Sequence, residues 1–234
     1  MIGNMAESNT TLLRVEVLAV VLAVRPITRQ VEILLWQRGR DPESGRWALP
    51  GGTLLPTETV DESMARQLAQ KVELTRVAHL EQIGVFSAPD RSPGVRSVAT
   101  GFLGLVPAHE DPDLPADTGW HPLDRLPPMA FDHAEIAQRA RHRLRGKLSY
   151  TNIGFALAPR EFTLNALSRI YRAVLGHEVD ATNLQRILTR RGMLAPTGTR
   201  AAPGPAGGRP AALYRFTVTE YRVTDPFAAF RPPE

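Results

Sequence analysis

Apolar positions along the chain change spacing several times, and each change marks an element. "LRVEVLAVVLAV" (13–24) and "VEILLWQ" (31–37) are dense in β-branched and aromatic residues and predict strands, with Pro26 in the turn between them. "RWALPGG" (46–52) predicts a short strand ending in a Gly turn, followed by a helix from about Val60 to Glu73. "HLEQIGVFSA" (79–88) and "RSVATGFLGLVP" (96–107) predict two more strands, joined by the turn-forming "PDRSPGV". Residues 108–121 are acidic and Pro-rich and read as a surface loop.

Helical spacing returns at 131–148. Asp132 is expected to cap this helix, with Glu135 completing a capping box and Phe131 stapled to Ile136. "YTNIGFALAP" (150–159) reads as a connector with a short strand. Two brief helices follow. Thr163 caps the first and Gly176 ends it; Asp180 caps the second and Gly192 ends it. "GMLAPT" and "AALYRF" then flank a stretch rich in Gly and Pro, which predicts a hairpin with a flexible tip. The resulting division is residues 1–10 disordered, 11–148 a first domain, 149–218 a second and 219–234 a tail.

Composition narrows the classes. At 43% hydrophobic and 22% charged, the chain matches a soluble globular protein. Without cysteine it has neither disulfides nor thiolate chemistry. "VLAVVLAV" (17–24) is too short to span a bilayer, and no secretion signal is recognisable, so a cytoplasmic location without membrane association is expected. Charge is uneven: residues 1–150 hold 17 Lys/Arg against 18 Asp/Glu, and residues 151–234 hold 11 against 6. The back half therefore suits a polyanion, or simply carries an Arg-rich solvated surface.

The segment "GGTLLPTETVDESMARQLAQKVEL" (51–74) resembles the Nudix box. Gly52, Glu58, Arg66, Leu68 and Leu74 fall in that pattern's register. The resemblance implies carboxylates on one helix face that hold Mg²⁺ against a diphosphate. Here Gln67, Gln70 and Lys71 stand at those positions. A glutamine oxygen is a neutral ligand, and a lysine ammonium has no lone pair and repels a cation. Glu58 lies in the loop, and Glu62 is placed to pair with Arg66. The expectation is a fold kept for binding, with neither a catalytic residue nor a metal site. Weak hydrolysis through an unusual metal arrangement is the alternative.

If the cleft is retained, cations can take the place of the metal. Arg38, Arg40 and Arg46 flank "WALPGG", Arg91 and Arg96 lie in the loop opposite, and Lys71 is on the box helix. Trp47 or Phe86 could stack on a base. Each also has a plain structural reading, Trp47 as core and the cations as solvated surface.

The second domain has a winged-helix pattern. On its second helix Leu184, Ile187 and Leu188 form the inward stripe, and Thr182, Asn183, Arg186 and Arg190 point elsewhere. Arginine reads guanine and asparagine adenine, so this face suits a major groove. Thr163, at the start of the preceding helix, and Arg200 and Arg209, in the wing, are placed as further DNA contacts. A helical cap or dimerisation appendage is the competing reading.

"AFDHAEI", "RLRGKLSYTNIGFALAPREFTL" and "GRPAALYRF" resemble the Nudix-related transcriptional regulators of NAD metabolism, the NrtR type, over about residues 13–216. The resemblance implies an α+β architecture, a Nudix α/β/α sandwich followed by a C-terminal winged helix-turn-helix domain. It further implies a cytoplasmic homodimeric repressor on palindromic double-stranded operator DNA. ADP-ribose or a related nucleotide would be the effector, with no cofactor required. A Nudix-type ADP-ribose pyrophosphatase with an accessory domain, and a silent module that recruits proteins, are the alternatives. Lys147, one of two lysines, is a hypothetical coupling point and acetylation site at the end of its helix; a solvated surface residue is the plain reading.

Overall fold

The computed structural model describes residues 12–74, 77–108, 113–202 and 210–225. Strand β1 (Arg14–Val24) is the centre of a seven-stranded mixed sheet. On one side it pairs in parallel with β6 (Ser97–Leu105), and β5 (His79–Phe86) extends that side antiparallel to β6. On the other it pairs antiparallel with β2 (Val31–Gln37) and, near its start, with β4 (Gly51–Thr53). Strands β3 (Trp47–Ala48) and β7 (Thr118–Pro122) both pair with β2.

The unbroken apolar run in β1 has a direct cause: both sheet faces are covered. Successive side chains point to opposite faces. Leu18, Val20, Leu22 and Val24 pack in one core with Ile136, Ala140 and Leu144 of helix α2 (His133–Tyr150). Val17, Ala19, Val21 and Ala23 pack in another with Met64, Leu68 and Val72 of helix α1 (Val60–Val72).

Three local expectations are corrected. Residues 118–122, expected as loop, form β7, with Trp120 opposite Leu34; alternation there was hidden by flanking acids and prolines. Asp132 makes no side-chain cap on α2, because its carboxylate is bonded to Arg91. Residues 153–156 are a turn of 3₁₀ helix instead of a strand.

The C-terminal part holds helices α3 (Leu164–Leu175) and α4 (Ala181–Arg190) and a hairpin of β8 (Leu194–Arg200) and β9 (Ala212–Phe216). Thr163 accepts from the Ala166 N–H, and Asp180 from the Asn183 N–H, as side-chain caps should. Gly176 ends α3 at φ +79°, a left-handed turn that suits glycine. Leu167, Ile170, Leu184 and Phe216 join the same hydrophobic cluster as α2, through Ile153, Phe155 and Leu157 of the connector. One core therefore runs from the sheet into the winged helix.

A strap, residues 218–225, then returns to the connector. The Asn152 side chain donates to the carbonyls of Val218 (3.3 Å) and Glu220 (2.7 Å) and accepts from the Arg222 N–H at 2.7 Å. Arg191, at the end of α4, pairs with Asp225 at 2.6 Å and donates to the Ser149 carbonyl at 2.7 Å.

Candidate effector cleft and nucleic-acid interface

Where β1, β2 and the Gly51–Gly52 turn meet the start of α2, a cleft encloses about 100 Å³ between Arg14, Glu16, Trp36, Arg38, Phe131 and His133. The two glycines are sterically required. A Cβ on Gly51 would lie 2.1 Å from the Val17 carbonyl oxygen, and one on Gly52 would lie 2.5 Å from the Gln67 amide. Gln67 is buried beneath this turn. With its amide oriented to satisfy both neighbours, it donates to the Gly51 carbonyl at 3.0 Å and accepts from Arg66 at 3.1 Å.

The fit of this helix face to Mg²⁺ can be tested on its donors. Glu58 receives Arg66 Nη2 at 2.5 Å and Nε at 2.8 Å, and the Leu55 N–H at 2.8 Å. The Arg66 hydrogen bonds, outweighing a smaller upward push from desolvation, hold its carboxyl at about 2. Glu62 is the other half of a capping box with Thr59, a correction to its expected pairing with Arg66. Lys71 rests its ammonium 4.4 Å from the ring centre of Trp36. Glu58 and Glu62 are thus engaged in holding the loop and the helix start, and a cation already stands on the face. Among the described residues no group of three or more His, Asp or Glu is arranged for a metal. The face does not fit the ion.

The expected effector residues fall into distinct places. Arg38 lines the cleft, stacked 4.8 Å over Phe131 and donating to the Pro42 carbonyl at 3.0 Å. Arg40 is exposed nearby. Arg46 pairs with Glu43 at 2.6 Å, and Trp47 is half-buried with its ring edge on His121, 4.1 Å away, as a core residue would be. Phe86 packs against the core. Arg91 is a correction. It is buried, with two bonds to Asp132 (2.9 and 3.0 Å), one to Glu16 (2.9 Å) and one to Ser97 (2.8 Å). Its guanidinium is fully engaged within the fold, since a buried charge requires partners. Arg96 is similarly spent, donating to the carbonyls of Ser87 and Ala88 at 2.7 Å each, which ties down the loop.

Sequence reading missed Arg14, Trp36, Phe131 and His133 as cleft residues. They come from β1, β2 and the start of α2 and meet through topology alone, so no local spacing signals them. His133 is buried and accepts the Leu49 N–H at its Nδ1, 3.0 Å away. Burial, then the nearby charges of Arg91 and Arg38, push its pKa down to about 3. The ring is neutral at ordinary pH and acts as an acceptor that holds the strand before the Gly turn.

On α4, Leu184 and Leu188 are buried and Ile187 is half-buried, while Thr182, Asn183, Arg186 and Arg190 are exposed on the opposite face. Arg186 donates to the Asn183 side-chain oxygen at 2.8 Å, which pre-orients both. Gln185 donates to the Tyr214 hydroxyl at 3.0 Å, which fixes the wing hairpin against α4. Thr163 borders the groove between α3, α4 and β9, with its hydroxyl accepting in the cap. Arg200 is exposed and donates to the Pro210 carbonyl at 2.9 Å across the wing base. Arg209 lies outside the described residues.

Lys147 is another correction. It is buried, its ammonium 2.7 Å from both Glu81 on β5 and the Tyr221 hydroxyl on the strap. Burial alone would lower its pKa, but the hydrogen bonds to Glu81 and Tyr221 raise it. The last turn of α2 faces the sheet here, so Nζ is neither solvated nor in reach of a phosphate or a modifying enzyme.

Residues 14–140 match the NUDIX domain family, and residues 154–216 match the NrtR DNA-binding winged helix domain. The ADPR responsive transcriptional repressor NtrR of Acinetobacter baylyi is 32% identical over 205 residues, 84% of this chain and 80% of that protein. The chain belongs to the NrtR family. The crystal structure of Shewanella oneidensis NrtR with a 27mer DNA aligns at a TM-score of 0.73 and 28% identity, over 87% of this chain and 93% of that one. The Nudix domain of the same protein, solved with ADP-ribose, aligns at a TM-score of 0.51 and 26% identity, over 60% of this chain and 94% of that one. The NrtR architecture, a Nudix sandwich followed by a winged helix-turn-helix, is therefore the one adopted here. Among the described residues no helix is long and apolar enough to cross a membrane.

Proposed function

We propose that this protein is an ADP-ribose-responsive transcriptional repressor of NAD biosynthesis or salvage genes, acting in the cytoplasm as a homodimer on palindromic operator DNA. The observation that carries this reading is the outward face of α4. It offers Thr182, Asn183, Arg186 and Arg190 to solvent beside a wing, on a chain whose other half holds an effector cleft. DNA-bound and ADP-ribose-bound relatives of the same architecture support both halves.

In this reading Arg186 and Asn183 read base edges, while Arg190, Arg200 and Arg209 grip phosphates. Arg38, with Arg40 and Arg46 beside it, faces the effector's diphosphate, and Trp36 and Phe131 offer flat surfaces for its base. The enclosed 100 Å³ takes one end of such a ligand, and the remainder lies across the open mouth. Hydrolysis is absent in this reading because Gln67, Gln70 and Lys71 stand where the box helix would need carboxylates to hold Mg²⁺. The decisive experiment is a DNA shift assay on the upstream region of neighbouring genes, with and without ADP-ribose, beside an AMP-release assay with Mg²⁺ or Mn²⁺. Selective, ADP-ribose-sensitive binding without AMP release is expected. AMP release in the usual enzyme range, about 1–10³ per second, would instead favour a pyrophosphatase with an accessory domain.

A further inference from the structure

A second pocket lies between the two halves, where the turn joining β1 to β2 faces the flank of α3. It encloses about 320 Å³, more than the effector cleft. Its floor is apolar, from Val24, Pro26, Pro159 and Ile170. Arg25 and Arg29 from the turn and Arg169 from α3 line it, and none of the described lining residues is a carboxylate.

The turn holds its arginines in place. Arg29 N–H donates to the Arg25 carbonyl at 2.8 Å, Arg25 N–H donates to the Gln30 carbonyl at 3.2 Å, and Arg29 sits at φ +55°. Arg25 stands 5.4 Å over the Trp120 ring. Neighbouring arginines around α3 find protein partners: Arg145 bonds the Val174 carbonyl at 2.8 Å, and Arg172 pairs with Glu178 at 3.2 Å. The side chains of Arg29 and Arg169 are exposed and have no such partner among the described residues. Arg29 and Arg169, brought to one concave space, repel each other, and an anion relieves that repulsion. A size of about 300 Å³ is at the small-ligand end of the range for binding pockets. A DNA duplex is far too wide to enter it.

We propose that this interdomain pocket binds a small phosphorylated metabolite carrying at least two negative charges. Its phosphates sit between Arg29 and Arg169, and its apolar part lies on Pro26, Pro159 and Ile170. Because the arginines come from both halves of the chain, the bound anion ties the winged helix to the sheet domain. The site shares no residue with the effector cleft.

The test is calorimetric titration of the full chain with inorganic pyrophosphate at constant ionic strength. Saturable binding is expected in an Arg38→Ala background, which removes the effector cleft's own diphosphate contact, and is weakened at least tenfold there by Arg29→Ala or by Arg169→Ala. Both pocket positions are exposed, and circular dichroism verifies that the variants fold. Absence of saturable binding in that background overturns the proposal, as does undiminished affinity on adding either Arg29→Ala or Arg169→Ala. Binding by the wild-type chain that Arg38→Ala alone abolishes places the anion in the effector cleft and also overturns it. Variants that bind pyrophosphate normally but bind duplex DNA more weakly reassign these arginines to backbone contact. None of these readouts uses ADP-ribose or an operator, so failure here is distinguishable from failure of the repressor reading.

Discussion

Helices α1 and α4 both carry a polar face, and the two faces differ in what their side chains touch. On α1, Arg66 holds Glu58, Gln67 bonds beneath Gly51, Lys71 rests on Trp36, and Glu62 closes the cap with Thr59. On α4, Arg186 and Asn183 bond to each other, and Thr182 and Arg190 have no side-chain partner among the described residues. A satisfied polar face contributes to the fold, whereas an unsatisfied one is available to an external partner. Substitutions on the effector side are therefore expected to change stability, and substitutions on α4 to change DNA affinity alone.

The largest effect is expected at Arg91. Arg91→Ala leaves Asp132 partly buried without its cation and Glu16 with Arg14 alone, and should cost about 3–5 kcal/mol in urea unfolding. Lys147→Met comes next, at roughly 1.5–3 kcal/mol, because it removes charged hydrogen bonds to Glu81 and Tyr221. It also has a pH signature. Burial pushes the Glu81 carboxyl up, but His79, Lys147 and Arg143 outweigh it and hold the group at about 2 against an ordinary 4.5. A depressed carboxylate stabilises the fold above its unfolded value, and that contribution is lost as pH falls from about 4.5 towards 2. In Lys147→Met the acid limb of the stability profile should be flatter.

Arg186→Ala should weaken operator binding by about 1–3 kcal/mol in fluorescence anisotropy and flatten base preference, with an unchanged unfolding midpoint. A shifted midpoint with unchanged DNA affinity would reverse the contrast between the two helices. The smallest effect is expected at Glu73, which ends α1 at φ +52°, a left-handed conformation that favours glycine. Glu73→Gly should stabilise by no more than about 1 kcal/mol, the left-handed strain relieved being partly offset by glycine's greater chain entropy. Thermal unfolding measures it.

Local rules made much of this legible. Thr163, Asp180 and Gly176 announce the helices of the wing domain because caps and left-handed ends act within four residues. The register of Gly52, Glu58 and Arg66 announces the box because all three lie within one loop and helix of 15 residues. What sequence reading lost was non-local. Asp132 looks like a cap until Arg91, 41 residues away, takes its carboxylate. Lys147 looks like a solvated helix end until Glu81 and Tyr221 close over it, from 66 residues before and 74 after. The cleft's Trp36, Phe131 and His133 are invisible until the sheet assembles.

The parallel neighbour of β1 has a consequence for how the chain is made. Val17 lies opposite Thr100 and Leu22 opposite Leu105, so the central strand completes its ladder some 83 residues after it is synthesised. At about 5–20 residues per second, that leaves several seconds in which "VLAVVLAV" has left the ribosome without β6 beside it. An apolar, β-branched, uncharged segment of that length is a template for intermolecular pairing while it is exposed. The same strand that anchors the finished sheet is thus the segment most in need of chaperone cover during synthesis, and the yield of soluble protein should depend on how quickly residues 97–105 follow it out of the tunnel.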